Sequence, residues 1–464
     1  MTLRDTLEPF FNKLPAVASP EKHVHFKDKL WWTLGILVLY FALANVPLFG
    51  MSQDSIDLFE SYRAFFAGAS GTLVLLGIGP IVTASIVLQL LVGGRHYQTG
   101  PFGPPRDQSF FQGSQKFLVF VMIILEALPQ LLGGYIQPDP GGLASTLGVG
   151  LGVITLLLLV QIFIGGVLVL FMDEVVSKWG GIGSGVGLFI VAGISQQIVT
   201  GIFNWEMENG LPVGLIPKWI YIAQNTDAGY LLSGEGLLFM LVSGGILALL
   251  STIAIFLLVV YVESTRIEIP LAHSAVRGAR GRFPVKLIYA SVLPMILVRA
   301  LQANIQMVGI ILSGRGITFL GEFSGSTPPL NGIMYYLSPI NSPYDWIPSL
   351  VQQSFASYGA TAPAMWQIAL HVFIDATFLI AGGIIFALFW IETTGMGAKQ
   401  TAQKIFNSGM QIPGFRRNIS SIEKVMQRYI PKVTVIGGGF YRITDPDCEP
   451  ARYSWKCWRY GGFC

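Results

Sequence analysis

Charged residues are scarce in this chain of 464 residues, and their scarcity argues against a soluble protein. Only 12% of the residues are Asp, Glu, Lys or Arg, whereas soluble domains carry about 25%. The three cysteines all lie in the last 24 residues, so they indicate nothing about the redox compartment of the rest. The first 30 residues lack an apolar core, and the sequence therefore predicts no cleavable signal peptide.

Long apolar runs, by contrast, are abundant, and 52% of the residues are hydrophobic. Eight runs match the roughly 20 residues that a helix needs to cross a bilayer, and a ninth run is short. The runs lie at 31–50, 71–93, 117–135, 147–171, 184–202, 236–262, 285–312, 364–391 and 430–440. The sequence therefore predicts an all-α transmembrane protein.

The basic residues are distributed unevenly between alternate loops. Of the 29 Lys and Arg, 21 lie in the N-terminal arm or after even-numbered spans, and three lie on the opposite side. Cytoplasmic loops are enriched in Lys and Arg, so this bias predicts a cytoplasmic N-terminus.

The second apolar run carries Gly77, Gly79 and Pro80 where a simple membrane anchor would carry leucine. Directly before it lies a short segment of mixed polarity, residues 51–70. Irregular backbone is tolerated at membrane depth only where it is buried in protein or lines a cavity. This pattern favours a channel or a transporter.

The chain changes character after Phe440. The tail at 441–464 contains Asp445-Pro446-Asp447, which no helix can carry through lipid. A frameshift explains this change, because removing one base from a permissible coding sequence gives FIGLLTLIANLLGTVGSVGGTGGF, an apolar helix followed by a glycine turn. The alternatives are a native cysteine-bearing tail and a cloning scar.

Several ordered motifs point to one family. The segments LLGIGPIVTASIVLQLL, FQGSQK, DEVVSKWGGIGSGVGLFI, RIEIPLAH, FPVKLIY, ANIQ and WIETTG closely resemble SecY, the large subunit of the Sec protein-conducting channel, in its archaeal form. The resemblance covers residues 1 to about 440. It implies a helical bundle of two pseudo-symmetric halves of five spans. As written, the chain would hold about eight full spans, a partial ninth and no tenth.

The resemblance also implies a division of the chain. The segments are a cytoplasmic amphipathic arm at 1–30, an N-terminal half at 31–202 with a plug at about 51–70, an external linker at 203–235, a C-terminal half at 236–440 and the aberrant tail at 441–464.

A pore narrowed by apolar side chains is the central feature that the resemblance implies. An apolar constriction can fit many different side chains and gate small ions by dewetting. The ring residues would be Ile78, Val82, Val186, Ile190 and Ile296. Ordinary packing against neighbouring helices or lipid is the alternative for each of them.

The resemblance further implies a plug and a lateral gate. The plug would be a short amphipathic helix that includes Asp54, Ile56, Leu58, Phe59 and Phe65. A surface helix is the alternative for that segment. The gate would use a polar cluster of Thr83, Glu126 and Asn304, for which plain helix packing is the alternative reading.

Two cytoplasmic loops, 263–286 and 392–432, are unusually basic. The positive-inside bias alone explains part of this charge. In the family such loops contact the ribosome, where basic side chains would meet RNA phosphates in a salt-sensitive manner. The candidate contact residues are Arg277, Arg280, Arg282, Arg416 and Arg417.

The implied function is that of the central pore-forming subunit of a translocation channel in the cell membrane. It would pass secretory polypeptides across the membrane and membrane proteins laterally into it. It would not be an enzyme and would need no cofactor or metal. Its partners would be a SecE-like clamp subunit, a small third subunit of the Sec-beta type and the ribosome. From sequence physics alone, a secondary transporter with broken helices is the alternative.

Sequencing the gene around codon 440 tests the frameshift hypothesis. We expect a single-base insertion there, and the mass of the purified chain shows which reading frame is translated. A gene that is in frame throughout, with no such insertion, would make the hypothesis wrong.

Overall fold

The computed structural model of the chain separates into two units. The first unit comprises Met1–Gln197 and Arg299–Pro339, and the second comprises Ile198–Val298 and Ile340–Cys464. The structure describes residues 9–11, 13–52, 66–91, 105–132, 136–139, 150–180, 183–208, 211–226, 233, 236, 240–241, 244–273, 280–287, 293–314, 316–323, 329–340, 345–357, 361–393, 396–413 and 418–443.

The described part of the chain is mostly helical. Along the chain the elements are α1 (Phe26–Ala44), α2 (Gly79–Leu91), α3 (Pro105–Leu132), α4 (Leu151–Trp179), α5 (Gly185–Phe203), β1 (Met207–Glu208), β2 (Leu211–Pro212), α6 (Leu215–Asn225), α7 (Ile246–Ser264), β3 (Arg266–His273), β4 (Arg280–Lys286), α8 (Leu293–Gly314), α9 (Gly332–Tyr336), α10 (Pro348–Ser357), α11 (Met365–Thr393), α12 (Ala398–Asn407), β5 (Met410–Gln411) and α13 (Ile419–Ile443).

Five helices in the described residues are long and apolar enough to cross a membrane. They are Ser109–Leu131, Leu151–Trp179, Gly185–Phe203, Pro294–Ser313 and Met365–Ile391. Shorter apolar helices lie at Gly79–Leu88 and Leu249–Ser264. All seven overlap apolar runs of the sequence, and the full number of spans stays a prediction.

The second apolar run is helical only in its second part. Helix α2 begins at Gly79, and residues 71–78 before it form turns and bends. Gly77 has a positive φ of 54°, which L side chains rarely adopt, and a Cβ there would collide with the Phe66 carbonyl. The glycine-rich pattern of the sequence therefore corresponds to irregular, buried backbone in the first unit.

Small residues allow helix α4 to pack closely in the first unit. A Cβ at Gly165 would collide with the Leu73 carbonyl, and a Cβ at Gly166 would lie 2.9 Å from the Ile123 side chain. Helix α4 thus contacts both the irregular segment before α2 and helix α3. Small residues commonly have this role between membrane helices, because they let backbones approach.

The described residues also include a small three-stranded sheet, which the all-α prediction did not contain. Strands β3 and β4 pair antiparallel, from Arg266↔Lys286 to Ala272↔Arg280, and β5 joins β3 through Ala272↔Gln411. The sheet buries Ile269, Leu271 and Val285 against α11, α12 and α13 of the second unit. The RIEIPLAH segment has the period-two alternation of a half-buried strand.

The N-terminal arm is fastened to the ends of helices α3 and α4 by charged hydrogen bonds. The backbone N–H of Val17 donates to Glu174 Oε2 at 3.0 Å, and Lys178 donates to the Val17 carbonyl. Lys116 of α3 lies 2.6 Å from Glu174 Oε1 and also donates to the Pro15 carbonyl at 3.0 Å. One carboxylate therefore ties together the arm and two helices.

Replacing Glu174 by alanine should release the arm without unfolding the helices. A hydrogen bond to a charged group contributes about 1.5–3 kcal/mol, so we expect arm opening to rise by about tenfold or more. Hydrogen exchange at the Val17 amide and tryptic cleavage at Lys13 measure the opening. Lys22→Ala, an exposed change in the same arm, is the control, and equal exchange in both variants would contradict the prediction.

Candidate functional site

The last residues of the predicted plug are hydrogen-bonded to the backbone just before helix α2. The Ile78 N–H donates to the Phe66 carbonyl at 2.7 Å, and the Ala69 N–H donates to the Val74 carbonyl at 3.1 Å. Ala67 has a φ of 49°, uncommon for a residue with a side chain, and its carbonyl accepts a hydrogen bond from the Tyr40 hydroxyl. These contacts fix one flank of the plug segment.

The other flank is fixed by backbone pairing with residues after helix α3. The Ser52 N–H donates to the Gln137 carbonyl at 2.8 Å, and the Asp139 N–H donates to the Gly50 carbonyl at 2.9 Å. These hydrogen bonds fix the described residues on the N-terminal side of segment 53–65. The predicted plug residues Asp54, Ile56, Leu58, Phe59 and Phe65 lie outside the described residues.

The predicted ring residues are buried or half-buried on three helices. Ile78 is fully buried and Val82 is 5% exposed, and the Val82 N–H donates to the Ile78 carbonyl, so the two lie one turn apart at the start of α2. On α5, Ile190 is buried and Val186 is half-buried. Ile296 is buried on α8 within the second unit. The pairs on α2 and α5 each occupy one helix face, as their spacing predicted.

Two of the three predicted gate residues contact each other directly. The Thr83 hydroxyl on α2 lies 2.7 Å from Glu126 Oε1 on α3, and both side chains are buried. Gly79 allows this approach, because a Cβ there would lie 3.1 Å from Glu126 Oε2. The hydroxyl also lies within hydrogen-bond distance of the Gly79 and Pro80 carbonyls, so three acceptors compete for its single proton.

The third gate residue, Asn304, lines the same small cavity as Glu126. The cavity has a volume of about 30 Å³, enough for one or two water molecules, and Phe66 and Met307 form part of its apolar wall. The Asn304 amide donates to the Ala300 carbonyl of its own helix at 2.8 Å. The structure thus places Glu126 and Asn304 at one cavity and joins Glu126 to Thr83 by a side-chain hydrogen bond.

Two residues at this site were missed by sequence reasoning. Tyr40 holds the last residues of the predicted plug, and its ring stacks on Phe189 with centroids 4.9 Å apart. Gln130 lines the cavity and donates to the Glu126 carbonyl at 3.1 Å. Gln130 carried a signal, since it is a polar residue one turn from Glu126 in an apolar run. A tyrosine in a span carries none, because tyrosine is common there.

The two basic loops meet in one folded element of the second unit. Arg282 is exposed on β4 and pairs with Glu268 of β3. Arg280 begins β4, but its side chain lies outside the described residues, as do Arg277, Arg416 and Arg417. Because β3 pairs with both β4 and β5, segments 274–279 and 414–417 start from neighbouring strands.

Known protein families and individual relatives match nearly the whole of this chain. The family described as SecY matches residues 72–444, and the plug domain of Sec61p matches residues 38–71. The protein translocase subunit SecY of Archaeoglobus fulgidus is 56% identical over 439 residues, covering 94% of this chain and 88% of the relative. The corresponding subunit of Halobacterium salinarum is 52% identical, with the same coverage of both chains.

Solved structures agree with these relatives. One described as "The structure of a protein conducting channel" has a TM-score of 0.73 at 35% identity and covers 94% of this chain and 89% of its own. Sec61 in the canine ribosome-channel complex has a TM-score of 0.69 at 35% identity, with the same coverage. Fold and sequence together define the class as a multi-pass membrane protein of the protein-conducting channels. Within that class, the chain belongs to the SecY family.

A double-mutant cycle tests the contact between Thr83 and Glu126. Interhelical hydrogen bonds in membrane proteins average about 0.6 kcal/mol and reach about 1.7 kcal/mol. We expect a coupling in that range between Thr83→Val and Glu126→Leu in the free energy of unfolding in detergent. Thr155→Val is the control, because the Thr155 hydroxyl donates within its own helix at 3.0 Å. A coupling no larger than the control's would mean that the contact contributes nothing.

Proposed function

We propose that the chain is the central pore-forming subunit of a translocation channel, passing secretory polypeptides across the membrane and membrane proteins sideways into it. The match to the SecY family over residues 72–444 is the observation that carries this proposal. The secondary transporter considered from sequence physics has no comparable support. The domain boundaries and the ten-span plan of two halves belong to the same proposal.

The plug is proposed to act as a lid with two anchored ends. Both flanks of segment 53–65 are tied by backbone hydrogen bonds to the first unit. Such a segment can leave a pore without its ends separating, because only the loop between the anchors has to move. Ile78 supports this role, since it is fully buried and its N–H bonds the carbonyl of Phe66 in the last residues of the plug.

Thr83, Glu126 and Asn304 are proposed to hold a lateral gate closed. One direct hydrogen bond and a small cavity are a weak set of interactions between helices, as a gate requires. An arriving apolar signal segment has only to replace contacts worth about 1 kcal/mol. The cavity beside Glu126 shows that the packing here is incomplete.

The proposal includes partners and an orientation. The partners are a SecE-like clamp subunit, a small third subunit and the ribosome, and the location is the cell membrane with a cytoplasmic N-terminus. The positive-inside bias supports the orientation. The canine Sec61 relative was solved in a ribosome-channel complex, which supports the ribosome as a partner. The sheet of β3, β4 and β5, with its basic tips, is the surface that we propose for it.

Ion conductance of the reconstituted channel tests the proposed function. We expect little conductance from the intact chain with its partner subunits, because an apolar ring gates ions by dewetting. Deletion of residues 53–65 or addition of a signal peptide should open it. A shorter deletion in the proposed external linker, residues 227–232, is the control. Saturable uptake of a small solute, with no change on plug deletion, would favour a transporter instead.

Charge reversal at the loop tips tests the ribosome surface. Arg280→Glu with Arg416→Glu should weaken binding at physiological salt and reduce its salt dependence, because phosphate contacts release counterions. Arg266→Glu with Lys286→Glu is the control, since it makes the same charge change at the opposite end of the hairpin. Equal loss of binding in both double variants would make the proposed tip surface wrong.

A further inference from the structure

Helix α6 begins where the membrane helix α5 ends. The Gly214 N–H, just before α6, donates to the Asn204 carbonyl at 2.8 Å, and Asn204 directly follows α5. A second backbone bond joins the Val213 N–H to the Glu206 carbonyl at 2.9 Å. The short β1–β2 hairpin between the helices therefore fixes the start of α6 at the depth where α5 leaves the bilayer.

Helix α6 carries apolar side chains on both its buried and its exposed face, and Lys218 is buried with the former. One face buries Leu215 and Ile222 in the second unit, and Trp219 on its flank donates to the Gly244 carbonyl at 2.7 Å. On the other face Ile216 is 36% exposed and Ile220 is 40% exposed, one turn apart. A helix on a water-facing surface carries polar residues on its exposed face, so this pattern indicates a different environment.

The exposed apolar surface continues onto the end of α5 and the hairpin. Phe203 is 56% exposed, Trp205 is 67% exposed and Met207 is 58% exposed. Aromatic residues are enriched where membrane proteins cross the headgroup layer, because one end of the ring is apolar and the other tolerates water. Val199, one turn before Phe203, is also exposed and belongs to the span, so the patch is continuous with the surface that lipid covers.

We propose that helix α6 and the β1–β2 hairpin form an interfacial anchor that lies in the headgroup layer of the bilayer. Trp205, Ile216 and Ile220 contact lipid there. Helix α6 has 11 residues, too few to cross the membrane but enough to lie along its surface with one apolar face in lipid and the other on protein. The anchor rests on the proposed function only in requiring that α5 crosses the bilayer.

Nitroxide labels on single cysteines test the anchor. The background carries Cys448→Ser, Cys457→Ser and Cys464→Ser, and the full chain with its partner subunits is reconstituted in phosphatidylcholine and phosphatidylglycerol vesicles. Labels at Ile216→Cys and Ile220→Cys should be several-fold more accessible to oxygen than to a water-soluble nickel chelate. A label at Asn225→Cys, an exposed polar position at the end of the same helix, should show the opposite preference.

A label at Val199→Cys separates failure of the anchor from failure of the proposed function. Nickel access at Ile216 and Ile220 with oxygen access at Val199 would overturn the anchor alone. Nickel access at all three positions would contradict a membrane-crossing α5. Low access of both reagents at Ile216 and Ile220 would mean that a protein partner covers them, which also overturns the anchor.

Fluorescence gives a second measurement without labels. The Trp205 signal is the difference between the wild-type chain and Trp205→Phe. We expect lipids brominated near the headgroup to quench this signal several-fold more than lipids brominated deep in the chain. Quenching by aqueous iodide but by neither lipid would overturn the anchor.

Discussion

The requirement that backbone groups inside a membrane find partners within the protein governs the first unit. Residues 67–78 are not helical, so their N–H and C=O groups need other partners. They obtain them from one another, through pairs such as Ile78 with Phe66 and Ala69 with Val74, and from the Tyr40 hydroxyl. Gly77 and Gly165 make this possible, since a side chain at either would occupy the place of a backbone carbonyl. The plug flank, the start of α2 and the packing of α4 all follow from that one constraint.

The side chains beside Glu126 pack incompletely, in contrast to the hydrogen-bonded backbone before helix α2. Several backbone N–H groups nearby have partners, whereas Thr83 and Glu126 share one side-chain hydrogen bond beside a cavity of about 30 Å³. A rigid irregular segment thus lies next to a weak contact between helices.

The sequence predicted features that depend on local composition, such as the long apolar helices. It did not predict features that depend on contacts between residues far apart in the chain. The apolar runs located the long helices, and Gly77 marked irregular backbone, because length and glycine content are local properties. The spacing of Ile78 and Val82 placed them on one face of α2. The sheet of β3, β4 and β5 was missed, since Ala272 pairs with Gln411 far along the chain. The hydrogen bond between Thr83 and Glu126 could be suggested by polarity in a span, but only the fold supplies the partner of Tyr40.

The attachment of the N-terminal arm has a consequence for the order of assembly. Val17 and Glu174 are 157 residues apart, so the arm cannot dock until helix α4 has been synthesised. At about 5–20 residues per second, translation leaves the arm unattached for roughly 8 to 30 s. During that interval Lys116 and the arm are both exposed to other partners. The hydrogen bond between Val17 and Glu174 thus forms only after the first four apolar segments have been synthesised.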